Sequence, residues 1–435
     1  MFRKSIFAII IILILPAFCF SQDVTLKPIV KSARTKIRVA IAPLEIQSKV
    51  GEEEKYQDLY REVLTFDLEY SDICGILKNY KLIEETRANE KKTGRMDYGA
   101  WKSFGVEAVI TGELKVSSSR IILELYLDDV NDQTRIAGKR YKGTHDEFRN
   151  WLHHFSDEIV YNYTGTPGIA QTRIAFVAGD RKGKELYIID YDGKNQKKIT
   201  SNNSIVLFPS WAPDGKRLLF TSYEKGYPDL YMVNFSNGQY TKLAGFPGIN
   251  TLATWHPFRD LVTIVLSKDG NPDIYTLDIN TKQTERLTRD KAVESSPCWS
   301  PDGKNILYTS DDAGFTQLYV MNSSGKNRRR LTKIGTCDEG DWNPQYDKIV
   351  FVKLTSRGIY DIFVTPVDGK SVIQLTQKQG SNENPCWAPD GRHIVFNSTR
   401  SGSSQIYVMD DDGSDVRRIT YGIPGDSKNP AWSPN

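Results

Sequence analysis

Cysteine and histidine are scarce in this chain, five of each in 435 residues, and the histidines do not cluster. His153 and His154 are neighbours, so on a helix they face different ways instead of making the i, i+4 pair that grips zinc. His145, His256 and His393 have no completing set of cysteines or carboxylates around them. All five are expected to be solvated or hydrogen-bonded structural side chains. The catalytic signatures are missing too: there is no G-x-S-x-G elbow, no H-E-x-x-H and no Walker loop. Without a recognisable nucleophile–base pair, the sequence predicts a protein that is not an enzyme.

Neither sign of charge is in excess, since 57 Lys and Arg face 54 Asp and Glu. That balance argues against nucleic acid as a partner and against direct membrane-surface binding, leaving membrane contact to partners. Long hydrophobic runs are absent as well. The one apolar run, Ile6 to Leu15, is ten residues, too short to span a bilayer comfortably. Arg3 and Lys4 precede it and the small residues Cys19 and Ser21 follow it. Residues 1–21 therefore read as a secretory signal cleaved after Ser21, with an uncleaved anchor as the alternative. Pro16-Ala17-Phe18 departs from the small-residue pattern that a lipid-attachment site at Cys19 would need.

Export permits disulfides, and four cysteines follow the signal: Cys74, Cys298, Cys337 and Cys386.

What the sequence does have is a recurring tryptophan. Trp211, Trp255, Trp299, Trp342, Trp387 and Trp432 are spaced by 44, 44, 43, 45 and 45 residues. A fixed period of this size marks a repeat architecture. The surroundings recur as Pro209-Ser210-Trp211-Ala212-Pro213-Asp214-Gly215, Pro297-Cys298-Trp299-Ser300-Pro301-Asp302-Gly303 and Pro385-Cys386-Trp387-Ala388-Pro389-Asp390-Gly391. Each Pro-Asp-Gly is a turn: Pro presets φ, Asp caps its own backbone and Gly accepts positive φ. In the unit from Trp299, strands follow at 305–310 and 317–321, then a turn at 322–325 and a short outer strand at 329–332. Four short strands per unit with no helical period is the spacing of a β-propeller blade. Cys298 and Cys386 occupy the same position two blades apart, too far for a disulfide, and read as small core residues.

The ends of this region set the blade count. Strands at 172–178, 185–190 and 196–199 lack a tryptophan strand, and residues 429–435 are a tryptophan strand with nothing after it. Joining them closes six blades and hides two sheet edges. Before the ring, residues 22–165 have a different pattern. Strands are expected near 36–44, 106–112 and 120–128. Amphipathic helices are expected on the stripe Tyr56, Leu59, Tyr60, Val63, Leu64 and on Phe148, Trp151, Leu152, Phe155, Ile159. The expected architecture is thus two-domain: a small α/β N-terminal domain with an extended arm, then a six-bladed β-propeller over 166–435 closed by its C-terminal strand.

The segments just before each tryptophan strand should line one mouth of the channel. In order they hold Ile205, Val206 and Leu207; Ile249, Asn250, Thr251 and Leu252; Glu294 and Ser295; Asp338 and Glu339; Asn382 and Glu383; Asp426 and Lys428. One arc is apolar and the rest mostly acidic, which suits a protein partner: apolar area for affinity, charge for orientation. No cofactor is expected. Asp-rich turns such as Asp410-Asp411-Asp412-Gly413 lack the EF-hand pattern, and a calcium ion in the channel is the one alternative left open.

The chain resembles the TolB family of the Tol–Pal envelope system. The resemblance rests on the signal, the small α/β domain, the junction Tyr163-Thr164-Gly165-Thr166-Pro167-Gly168-Ile169, the tryptophan repeats and the terminal Pro430-Ala431-Trp432-Ser433-Pro434. It implies a monomeric periplasmic binding protein. The propeller mouth would hold the peptidoglycan-associated lipoprotein Pal, and an N-terminal arm, here Gln22 to Lys31, would engage TolA. A histidine common in the family's second mouth loop is Ile249 here. Trp255-His256-Pro257-Phe258-Arg259 and Trp342-Asn343-Pro344-Gln345-Tyr346 depart from the repeat by lacking Asp-Gly. The competing readings are a propeller-gated peptidase, which needs a hydrolase domain of a few hundred residues, and a carbohydrate-binding or lyase propeller.

Overall fold

The computed structural model describes residues 36–48, 51–180 and 183–435. The expected signal at 1–21 and the arm at 22–31 lie outside the described residues. Residues 173–432 form six four-stranded antiparallel sheets. Blade 1 is built from both ends of the ring: Asp426–Trp432 is its inner strand, followed outward by Arg173–Gly179, Lys184–Asp190 and Lys197–Lys198. Blades 2 to 6 take their inner strands from Val206–Trp211, Asn250–Trp255, Glu294–Trp299, Cys337–Trp342 and Asn382–Trp387.

The closing strand is bound by backbone and side chain alike. Ser427 pairs with Ala178, Ala431 with Ala175 and Trp432 with Ile174. The Ser433 amide donates to the Arg173 carbonyl at 2.8 Å, and Trp432 Nε1 donates to Thr172 Oγ1 at 2.8 Å. Trp211 Nε1 of blade 2 reaches the Ala431 carbonyl at 3.2 Å, so the seam is stitched to its next neighbour as well.

Each blade also needs its short outer strand held in place. In five blades a buried threonine does this. Thr200, Thr288, Thr332, Thr376 and Thr420 each accept the backbone N–H that opens the third strand, at 2.9–3.0 Å. Four of them also donate to a buried side chain, as Thr288 does to Asp273 at 3.1 Å and Thr376 to Asp361 at 2.9 Å. A buried hydroxyl that both donates and accepts avoids the cost of an unpaired polar group. The two repeats without Asp-Gly keep their turn by substitution. His256 Nδ1 accepts from the Phe258 amide at 3.0 Å, and Asn343 Oδ1 accepts from Gln345 and Tyr346 at 2.9 and 2.8 Å.

The N-terminal domain has more structure than its sequence pattern announces. Its sheet runs Cys74–Ile76, Ile37–Ile41, Ala108–Val116, Ile121–Asp129, Thr134–Gly143, with Glu45–Ser48 also paired to Ala108–Val116. Helices Glu53–Tyr70 and Phe148–Thr164 cover one face with the expected stripes. Two helices the periodicity did not reveal, Tyr80–Thr93 and Tyr98–Ser103, contribute Ile83 and Trp101 to the core of the other face, where Trp101 Nε1 donates to the buried Glu90 at 2.7 Å.

This domain docks over the ring seam, on blades 6 and 1. Asp67 accepts from His153 Nδ1 at 2.8 Å and from the Tyr191 hydroxyl of blade 1. Tyr70 stacks on His393 of blade 6 with centroids 4.4 Å apart, and the Arg417 guanidinium lies 4.3 Å from the Tyr70 ring centre. Asp157 accepts the Ala170 and Gln171 amides at 2.8 and 3.1 Å, tying the last helix to the first residues of the ring. All five histidines have hydrogen-bond partners. At His393 both ring nitrogens face acceptors: Nδ1 the Asp390 carboxylate at 2.7 Å, Nε2 the Tyr70 carbonyl at 3.0 Å. Only the imidazolium can donate twice. Burial works against that charge, but Asp390, Asp410 and the Tyr70 carbonyl outweigh it and raise the His393 pKa above its ordinary 6.5.

Two expectations follow. Deleting residues 429–435 should leave a sheet edge open and remove the packing of Trp432, for which Trp→Ala alone would cost ~3–5 kcal/mol. The truncated protein should aggregate or melt far below the intact one in a thermal scan. A soluble monomer melting at the wild-type temperature would contradict closure. His393, with its folded pKa raised, stabilises fully below 6.5 and loses that contribution as pH rises through the folded value. His393→Ala should therefore lower Tm most at acid pH, flatten its fall with rising pH, and make the 165–172 junction easier to cut by limited proteolysis.

Candidate functional site

The inner strands share a second feature that builds the channel mouth. In every blade the pairing with the second strand skips two residues, between Leu207 and Ser210 in blade 2 and between Lys428 and Ala431 in blade 1. The same shift occurs in the other four blades. The first skipped residue has a left-handed backbone in each: Phe208, Leu252, Ser296, Glu339, Asn384 and Asn429, with φ between 48° and 53°. A bulge of this kind re-aims a side chain and ends the regular ladder. Here six bulges place six side chains around one opening, a channel of about 420 Å³. Left-handed backbone costs a non-glycine residue about 1–3 kcal/mol, least for Asn, and such strain tends to gather at functional sites. The sequence signal is the proline two residues before the tryptophan, at 209, 297, 385 and 430, because proline inside a strand marks a bulge or an edge.

The mouth lies at the bulge end of the inner strands. The N-terminal domain contacts the opposite, tryptophan end, where His393 sits beside the residue paired with Trp387. Among the described residues, nothing of the N-terminal domain covers the mouth face.

Its composition is split. Ile205, Ile249 and Val293 occupy the same position in blades 2, 3 and 4 and are exposed by 39%, 38% and 44%. Just inside stand Phe208 and Leu252, half-buried. Thr251 shares a 3.1 Å hydroxyl contact with Thr221, and Leu207 is half-buried beside Phe208. The other arc is polar and connected. Ser296 donates to Asp338 at 3.1 Å. Asn384 donates twice to Glu339, from backbone and side chain, each at 2.6 Å. Asn429 donates to Asn384 at 3.1 Å, and Lys428 lies 3.7 Å from Glu383. Asp426 is exposed at the rim of blade 1.

Several residues expected at the rim are not there. Glu294 is 1% exposed, and Val206, Asn250 and Asn382 are also buried. Successive strand residues face opposite ways, so the exposed position is one residue earlier: Val293, not Glu294, continues the arc begun by Ile205 and Ile249. Burial and a hydrogen bond shared with Asp290 push the Glu294 pKa up to about 8. Phe208, Ser296, Asn384 and Asn429 join the site unforeseen.

Deeper in the channel, Cys298 and Cys386 are free thiols, half-buried, packed against the core of their blades on one side and lining the opening on the other. Cys298 Sγ donates to Asp341 at 3.2 Å, and burial pushes the Asp341 pKa up, opposed by the Trp387 amide. Among the described residues no group of three or more His, Cys, Asp or Glu side chains has the arrangement to hold a metal ion, and no helix is long and apolar enough to cross a membrane.

Glu339 carries the mouth's main titration. Burial pushes its pKa up to about 8; the Asn384 amide opposes this, and Asp338 and Glu383 add to it. An acid raised in this way keeps its proton folded after the unfolded chain has lost it, so stability falls as pH rises from 4.5 to about 8. Glu294 acts with the same sign. Glu339→Gln should flatten the decline of Tm across that window. A Tm–pH curve parallel to the wild type would mean the carboxyl is ionised throughout.

Comparison with known proteins agrees with this architecture. The sequence model of the TolB beta propeller domain matches residues 161–359 and 340–435, and that of the TolB amino-terminal domain matches 28–136. A Tol-Pal system protein TolB from Desulfosudis oleivorans is 34% identical over 226 residues, 52% of this chain and 51% of that one. The Geobacter sulfurreducens protein of the same name is 33% identical over 214 residues, 49% of this chain and 48% of that one. These alignments span about half the length of the relatives. The crystal structure of TolB from Acinetobacter baumannii superposes with a TM-score of 0.79 at 25% identity, covering 94% of this chain and 99% of that chain. With propeller and N-terminal domain both matched in order, the chain belongs to the TolB family.

Proposed function

We propose that the protein is a periplasmic protein-binding scaffold of the Tol–Pal system. In this reading it holds a Pal-type peptidoglycan-associated lipoprotein at the channel mouth, and so helps maintain outer-membrane integrity and constriction at division. The observation that carries the reading is the split rim: an apolar arc at Ile205, Ile249 and Val293 facing an acidic arc at Asp338, Glu383 and Asp426, on the face that the described residues of the N-terminal domain leave open. Of the thirteen exposed large apolar side chains among the described residues, seven stand on that face: the three arc residues with Tyr223, Tyr227, Phe315 and Tyr421. A concentration of this kind fits an interface better than a scattered surface does. The relatives carry the Tol–Pal name, which supports the choice of partner. Contact with TolA would belong to the arm at 22–31, and export to the segment at 1–21.

Binding kinetics with the purified lipoprotein test the reading. Ile249→Asp puts an unpaired charge into a desolvated contact and should raise the dissociation rate by the equivalent of ~2 kcal/mol or more. Glu383→Lys with Asp426→Lys should instead slow association, mostly at low salt, because rim charges act over about 10 Å at 0.1 M. If both variants bind at wild-type rates while substitutions on the opposite face abolish binding, the site lies on the wrong end of the ring.

A further inference from the structure

The blades act as controls for one another, and one junction between them is incomplete. At the tryptophan end, each tryptophan lies against the blade before it. Between blades 2 and 3 the slot over Trp255 is filled by Arg217, whose guanidinium is 4.7 Å from the ring centre. Asp214 of the blade 2 turn and Asp260 of the blade 3 turn hold it at 2.7 and 2.8 Å. Between blades 1 and 2 Arg173 lies 5.2 Å over Trp211, and between blades 3 and 4 His256 packs edge-on to Trp299 at 4.7 Å.

Between blades 4 and 5 the cage recurs without its cation. Trp342 takes the place of Trp255, Asp302 of Asp214 and Asp347 of Asp260. At the position of Arg217 stands Asn305, whose side chain is too short and carries no charge. These four residues line one cavity of about 640 Å³. Trp342 is only half-buried, whereas the other five repeat tryptophans are 4–7% exposed. The Ser300 hydroxyl and the Lys304 amide hold Asp302 below its ordinary pKa, so it is ionised. Lys304 also approaches Asp302 at 3.4 Å, but from solvent. Arg329 also lines the cavity, but its guanidinium is engaged by the Val367 carbonyl, to which it donates at 2.8 Å. Among the described residues no arginine or lysine of the chain lies over Trp342.

The geometry points to a second binding site, independent of the mouth: a slot between blades 4 and 5 that takes the guanidinium of an arginine side chain from a partner polypeptide. Trp342 supplies the π face, Asp302 and Asp347 supply the carboxylates, and the stem lies along Val320 and Val367. A guanidinium suits this cage better than an ammonium, because it is planar, stacks on aromatic faces and pairs with carboxylates in a fixed fork.

Calorimetric titration of the intact protein with acetyl-Gly-Arg-Gly-amide tests this, with the citrulline peptide as a neutral match in shape. The arginine peptide should bind saturably and the citrulline peptide at least roughly tenfold more weakly. Asn305→Arg should rebuild the Arg217 arrangement, so it should raise Tm and abolish peptide binding. Asp347→Asn should weaken binding several-fold at unchanged Tm, and keeps the test alive should Asn305→Arg fold poorly. Arg329→Ala should bind as well as the wild type or better. Equal binding of arginine and citrulline peptides, undiminished binding by Asn305→Arg, or no saturable binding overturns the site. So does agmatine binding more tightly than the peptide, which would make it a small-molecule pocket. Titration by an N-acetylglucosamine oligomer in place of the peptide would make it a sugar site.

Discussion

Everything in this molecule depends on a strand that must travel the full circumference before it finds its partner. Blade 1 does not exist until Asp426–Trp432 pairs with Arg173–Gly179, a contact across some 250 residues of sequence. Such a contact is entropically expensive to close and is worth nothing until the intervening blades stand. The chain concentrates reinforcement there: Trp432 to Thr172, Ser433 to Arg173, Trp211 across to Ala431. The N-terminal domain adds its weight at the same place. Its contacts fall on Tyr191, His393 and Arg417, the two blades that meet at the seam. The small domain is thus a clasp as well as a separate unit, held through Asp67 and Tyr70 of helix Glu53–Tyr70 and Asp157 of helix Phe148–Thr164.

His393, with an acceptor at each ring nitrogen, gives that clasp a polar centre. It sits between Asp390 and Asp410 on blade 6 and the Tyr70 carbonyl of the other domain, with Arg417 covering the same tyrosine. Arg417, the doubly hydrogen-bonded His393 and an aromatic ring add to the apolar packing of the seam. Such contacts are directional, so they fix the orientation of one domain on the other, which apolar area does not.

The ring was legible because its signals are local and repeated. A tryptophan and two apolar strands recur every 43 to 45 residues, with a Pro-Asp-Gly turn in alternate repeats, and the unpaired ends specify closure. The buried threonines that anchor the outer strands are written there too, as Ile199-Thr200, Leu287-Thr288, Leu331-Thr332, Leu375-Thr376 and Ile419-Thr420, with blade 2 breaking the series at Leu243-Ala244. The N-terminal domain was half legible. Half of Tyr80–Thr93 is charged, and it buries only Ile83, Thr86 and Glu90, so it offers no stripe to read. Mouth residues failed by one position at Glu294, because alternation is known only modulo the register and the bulge resets it. The cage at Trp342 was invisible for another reason. Its four members come from two blades, and its meaning lies in the absence of one side chain that a sister blade retains.

The bulge ring separates two demands that most sheets must satisfy with the same residues. Inside the ladder, a side chain is constrained by cross-strand neighbours and by the core. At 208, 252, 296, 339, 384 and 429 the ladder is interrupted, and those positions hold Phe, Leu, Ser, Glu, Asn and Asn without any change in backbone angle. Six sites of identical geometry thus tolerate six different chemistries. The surface they present can be rewritten one blade at a time, so a propeller of this build can follow a partner whose contact surface drifts while its own scaffold stands still.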